Sequence, residues 1–185
     1  MISIKRRELL LGLVGTTFAA GCTNSAGRNG AAKIDAHVDA TLAELHSQFP
    51  GTNQLGQKAR GILVMPLMTE AGLGIGGAYG RGALRVGDFS VDYYSAAKAS
   101  AGLQIGAAQY AHVLFFMTED ALMDFRHSSG WAAGADIEYA LPAGGRTIGA
   151  ETTTSLAPVI AMVFGHSGLR LGASLEGVKY TRIIP

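Results

Sequence analysis

Two hydrophobic periods divide the chain. In KIDAHVDATLAELHSQF, residues 33–49, Ile34, Val38, Leu42, Leu45 and Phe49 recur at spacings of four, four, three and four. That is one apolar stripe along a helix. Asp35 and Asp39 stand near its start, where the helix dipole favours acids, and Pro50-Gly51 ends it. The opposite face holds mostly acids and histidines, so the stripe is expected to dock on the protein's own sheet.

From Arg60 onward the period becomes two. Phe89, Val91 and Tyr93 alternate with Asp88, Ser90 and Asp92. Ala135, Ile137, Tyr139 and Leu141 alternate with Asp136, Glu138 and Ala140; Leu169, Leu171, Ala173 and Leu175 alternate with Arg170, Gly172, Ser174 and Glu176. Such segments are half-buried strands with one wet face, as in antiparallel sheets. Tyr93 and Tyr94 then point to opposite faces, one toward the core and one toward the surface. A short helix interrupts them, with Thr118 as cap, Glu119 and Asp120 in the first turn, Leu122 and Phe125 inward, and Arg126 at the end. The fold class is α+β: a glycine-rich, strongly curved antiparallel β-sheet or barrel, a long N-terminal helix and a short inserted helix.

AGLGIGGAYG, residues 71–80, carries the spacing Gly72-x-Gly74-x-x-Gly77, with an apolar run upstream and Asp92 twenty residues after Gly72. A dinucleotide loop has this spacing, but it also needs a helix straight after it to receive the pyrophosphate. Gly80, Gly82 and Gly87 would each cost such a helix about 1 kcal/mol relative to alanine. The segment is therefore expected to be a bending strand. Leu73, Ile75 and Tyr79 would keep one apolar face, with glycines on the other, and no nucleotide is expected. GHSGL, residues 165–169, misses the nucleophile-elbow spacing by one position, and neither Asp nor His follows Ser167. His37, His46, His112, His127 and His166 show no metal-ligand spacing; His112, in a strand, reads as a surface or satisfied histidine. No catalytic set, metal site or cofactor is expected.

The N-terminus changes the picture. Lys5, Arg6 and Arg7 precede Leu9–Ala20, twelve apolar or small residues, and Cys22 follows Ala19-Ala20-Gly21. A bilayer-spanning helix needs about 20 apolar residues; a basic head, short apolar run and small-residue boundary describe an export signal over 1–21. Arg6-Arg7, before Glu8-Leu9-Leu10, resembles a twin-arginine motif; an ordinary basic head accommodates the same pair. Cys22, the single cysteine, has no internal disulfide partner. Its setting resembles a bacterial lipobox, with Ala19 where leucine is commonest, which implies acylation of Cys22. Residues 22–32 then read as a lipidated tether and 33–185 as one domain. Removing Lys5, Arg6, Arg7 and Glu8 from 15 basic and 14 acidic residues leaves 12 and 13, a formal charge of −1. No long-range attraction to nucleic acid follows.

Five segments in order carry a resemblance: KARGILVMP (58–66), EAGLGIGGAYGRG (70–82), SAGLQIGAAQ (100–109), FFMTEDALMDF (115–125) and GHSGLRLGASLEG (165–177). Together they resemble the SYLF domain family across roughly residues 33–184. The resemblance implies a non-enzymatic lipid- or membrane-binding domain, in a family whose eukaryotic members bind phosphoinositides and whose yeast member is associated with actin. Two positions depart from the family: Glu70 replaces a frequent lysine, and Ser167 and Arg170 stand where lysine and an aromatic are common. An added acid and a lost cation disfavour a highly phosphorylated head group. Arg81, Arg170 and Lys179, cations in the matched glycine-rich blocks, are the candidate lipid contacts. The expected partners are membrane lipids, through the acyl anchor and the domain; actin is not expected. The expected location is the periplasmic face of the outer membrane, since Thr23 rather than aspartate follows the cysteine. The alternative is an envelope scaffold that binds another protein through a sheet edge, without a lipid ligand.

Overall fold

The computed structural model describes residues 28–134, 137–139, 157–165, 168–169 and 175–185. Helix α1 spans Arg28–Gln48 and so begins within the stretch read as a tether. Its stripe is buried as the periodicity requires: Ile34, Val38 and Leu45 are covered, and Leu42 and Phe49 pack at the margin. Asp35 and Asp39 fall outside the first turn, which contains no acid. A second helix, α2 (Gly51–Lys58), follows directly. Its sequence, GTNQLGQK, has no apolar stripe to announce it. The corner between them is tied by the Thr52 hydroxyl, which donates to the Phe49 carbonyl at 2.7 Å and lies 2.8 Å from His46 Nδ1.

Strands β1 (Gly61–Val86) and β2 (Phe89–Phe116) form one antiparallel hairpin. Gly87, at φ +58°, opens its turn in a conformation that favours glycine. The two strands pair along nearly their whole length, with register shifts between Met65 and Met68, Leu73 and Gly74, and Leu84 and Arg85. Shifts of this kind bend a strand and increase its twist. As a result β1 folds back until its two halves lie side by side. A Cβ built on Gly82 would collide with the Val64 carbonyl oxygen; one on Gly80 would meet the Leu67 oxygen and Met68 Sδ at 2.5 Å. Glycine is required there because backbone lies where a side chain would go.

The remaining strands extend both flanks. The second half of β2 pairs with β5 (Val159–Gly165), and its first half with β7 (Lys179–Ile183). Two-residue β3 (Trp131–Ala132) borders β7, β4 (Ile137–Tyr139) borders β5, and β6 (Gly168–Leu169) folds back on β5. Among the described residues the sheet has seven strands in a strongly curled half-barrel, antiparallel except where β4 runs parallel to β5. Of the two alternating segments expected after residue 134, 137–139 and 168–169 are strand, and Glu176-Gly177 form a turn. Leu175 is buried but lies in no strand, and their other positions lie outside the described residues.

Alternation along the strands separates two apolar layers. Inside the curl, Leu63, Met65, Leu84, Tyr94, Leu114, Phe116 and Tyr180 surround α3 (Glu119–His127). The α3 cap is as expected: Thr118 Oγ1 accepts from the Ala121 N–H at 3.3 Å, with Leu122 and Phe125 buried. The Phe125 ring sits 4.7 Å from Tyr94, 4.9 Å from Phe116 and 5.4 Å from Trp131, centroid to centroid. Outside the curl, α1 covers Val64, Ala83, Val113, Phe115, Ile160 and Phe164. β5 is therefore buried on both faces, which explains its unbroken apolar run VIAMVF.

Gly82→Ala is expected to lower stability by about 1–3 kcal/mol, the cost of forcing extra volume into close packing. Gly134→Ala, where an added Cβ meets nothing within 4 Å, should stay within about 0.5 kcal/mol of the parent. Urea denaturation of both variants against the parent reads the difference.

Candidate functional site

Helix α1 covers only part of the outer sheet face. It is held there by acids that sequence reasoning had placed at a helix start. Asp35 accepts from Ser90 Oγ at 2.6 Å and from the Tyr93 hydroxyl at 2.9 Å; Asp39 accepts from Arg85 Nη2 at 2.6 Å. Burial, then the Asp35 hydrogen bond, pushes the Tyr93 hydroxyl above its usual pKa. Tyr94 turns inward as expected, whereas Tyr93 is a docking point for α1 rather than a free surface residue.

Beyond Ala83 the same face is uncovered. Arg81 lies opposite Ser95, which lies opposite Thr181; in the next row Tyr79, Ala97 and Lys179 align across β1, β2 and β7. Arg81 and Lys179 are both exposed, and they share one face at a separation of about 12 Å by strand geometry. Tyr79 stands beside them at 56% exposure, and Ile75, further along β1, is 83% exposed. The apolar face read at 75 and 79 is thus the outward one, and the buried positions Ala78, Gly80 and Gly82 turn inward. The lysine stem runs over Gly130, where a built Cβ would lie 2.5 Å from Lys179 Cε. Of the other predicted positions, Arg6, Arg7, Cys22 and Arg170 lie outside the described residues. The spacing of Tyr79 and Arg81, two apart on one strand, was the available signal for this surface; the alignment with Lys179 was not readable from sequence.

Two further polar groupings hold the fold. Asp92 takes Arg126 Nε at 3.0 Å on one oxygen and Arg182 Nη2 at 2.6 Å on the other, joining α3 and β7 to β2. The Asp92 hydrogen bond raises the Arg182 pKa further. Both guanidiniums are substantially exposed, so each pair contributes at most about 1 kcal/mol. The Tyr94 hydroxyl lies beside this group without hydrogen-bond geometry, and burial raises its pKa. His112 is fully buried inside the curl; its Nε2 meets the Tyr180 hydroxyl at 2.7 Å and its Nδ1 has no partner. Burial pushes its pKa down to about 3, so the ring is neutral. It is half satisfied rather than a surface histidine.

A cleft of about 30 Å³ is lined by Glu44, Pro66, Leu67, Gln109, Tyr110 and Ala111. It has room on the scale of one water molecule, and an acyl chain does not fit. Among the described residues no three His, Cys, Asp or Glu side chains gather as a metal site, and no helix is long and apolar enough to cross a membrane.

A family model described as Ysc84, Las17-binding protein actin regulator, matches residues 97–182. Over that stretch, somewhat under half of its length, the chain is similar to the SYLF domain family, a family of binding domains. The match runs from the middle of β2 into β7. It includes Lys179 and three of the five resembling segments; Arg81 and the segments at 58–66 and 70–82 precede it. No curated protein matches the chain.

The neutral, buried His112 sets a pH dependence. Its folded-state pKa lies below the unfolded value of 6.5, so its contribution is full above pH 6.5 and falls as pH drops toward 3. The expected slope approaches 1.4 kcal/mol per pH unit in that window; burial lowers the His46 pKa as well, with the same sign. Urea midpoints between pH 7 and 4 should fall steeply for the parent and less steeply for His112→Gln.

Proposed function

We propose that this protein is a lipid-anchored envelope protein whose SYLF domain is a non-enzymatic membrane-binding module. The observation that carries the reading is the uncovered face on which Tyr79, Arg81 and Lys179 align, with Ile75 further along the same strand. Exposed aromatics and long cationic side chains suit a membrane interface, where ring and stem contact apolar groups while the charge stays hydrated. The anchor is Cys22, exported behind the Lys5-Arg6-Arg7 head by either the general or the twin-arginine route. The proposed location is the periplasmic face of the outer membrane, where the actin regulation in the family description has no substrate.

The alternative scaffold would bind a protein by strand addition at a sheet edge. Among the described residues β3 and β4 border the sheet with only two and three residues, whereas β1, paired with β2 alone, borders it along 26 residues and is the template such a partner would use.

The chain from Thr23 onward should float with anionic vesicles. The double variant Arg81→Glu/Lys179→Glu should reduce the bound fraction at least tenfold at low salt, since each cation near an anionic surface contributes about 1 kcal/mol. No flotation of the parent would remove the lipid reading. In cells, Cys22→Ser should abolish labelled-palmitate incorporation.

A further inference from the structure

Seven large hydrophobic side chains are exposed among the described residues, and four of them fall at one end of the sheet. Val86 and Phe89 face each other across the β1–β2 turn at 36% and 77% exposure. Val91 follows on β2 at 40%, and Ile184, just beyond β7, is 99% exposed. They belong to the same end because Tyr93 on β2 pairs with Ile183 on β7. Isolated exposed apolar residues are ordinary; a group on one prominence needs a partner.

The start of α1 lies at this same end. A Cβ on Gly30 would sit 2.8 Å from the Pro185 carbonyl carbon, and Asp35, a turn later, holds Ser90 and Tyr93. Only residues 23–27 separate Arg28 from Cys22. Six residue steps reach at most about 21 Å. By contrast, Ile75 is about 35 Å of strand away from Val86. An acyl group on Cys22 would therefore hold its bilayer beside the Phe89 end of the domain.

The charges here are largely committed to internal partners. Arg85 is bound to Asp39 and to the Asp88 carbonyl, and Asp92 is shared by Arg126 and Arg182. Lys33 and Arg60 are exposed here together with Asp88, Glu119 and Asp120, two cations against three acids. This end therefore presents apolar groups with little net charge, which suits insertion into a bilayer irrespective of head-group charge.

We infer that the bilayer holding Cys22 is also the surface on which the domain stands, with Phe89, Val91 and Ile184 entering the boundary between head groups and acyl chains. This rests on the lipid-anchored reading of Cys22. The contact needs little affinity of its own, because the anchor makes it intramolecular and supplies a high effective concentration. The Tyr79–Arg81–Lys179 face is then a second surface, raised above this bilayer.

The test uses the chain from Cys22 onward, coupled through the Cys22 thiol to a maleimide lipid in phosphatidylcholine vesicles containing brominated lipid. Phe89→Trp and Ile75→Trp each add one indole to the single native Trp131, whose signal is subtracted using the parent. Quenching by bromolipid should be at least threefold greater for Phe89→Trp, and unchanged in 1 M NaCl. Equal quenching at the two positions, or none at 89, overturns the docking. Labelled palmitate on the parent in cells tests the anchor separately: its absence overturns both readings, whereas its presence with equal quenching overturns the docking alone.

Discussion

The architecture depends on one close approach, that of the two halves of β1 at Gly80 and Gly82. A 26-residue strand cannot lie flat in a small domain; it must bend, and here it bends until backbone meets backbone. Any side chain at residue 82 would occupy the position of the Val64 carbonyl. Because the hairpin folds over in this way, β5 and β7 attach to opposite ends of β2 yet line the same interior. Phe125 enters that interior from α3 and gathers Tyr94, Phe116, Trp131 and Tyr180 around it. The outer surface of the same curl becomes the seat for α1.

Where burial followed periodicity, the sequence was readable. The α1 stripe and the α3 cap both sit where spacing and capping chemistry place them. The Gly72–Gly74–Gly77 segment is strand as its glycine spacing suggested, since β1 continues through it and pairs with Gly106, Gly102 and Ala99. What escaped reading was set by contacts between distant segments. Asp35 and Asp39 match the rule for helix starts, but their partners are Ser90, Tyr93 and Arg85, about 50 positions away. Alternation located two faces at Ile75 and Tyr79 without saying which was inward, because an outward apolar face and an inward glycine face have the same period. α2 has no pattern at all and exists because the corner at Pro50 and Thr52 holds it. The parallel β4–β5 pair contradicts local alternation, which suggests antiparallel neighbours.

The outer face shows the same division between local and distant information. Arg81 and Lys179 could each be picked out as cations, but only the register through Ser95 and Ala97 makes them neighbours. α1 decides which part of that face remains open, and it does so through Asp39 and Arg85. The docking of one helix therefore defines both a covered apolar layer and the limit of the exposed surface.

Asp92 carries a consequence for the order of assembly. Its partner Arg126 is 34 positions downstream, while the strand that carries Arg182 pairs with β2 across about 86 positions. Closing the longer loop costs more chain entropy and offers only a five-residue strand in return. The hairpin and α3 are thus expected to come together first, leaving the seat of Tyr180 open beside Phe125. β7 then arrives as the closing piece, bringing the Tyr180 hydroxyl onto His112 and Arg182 onto Asp92.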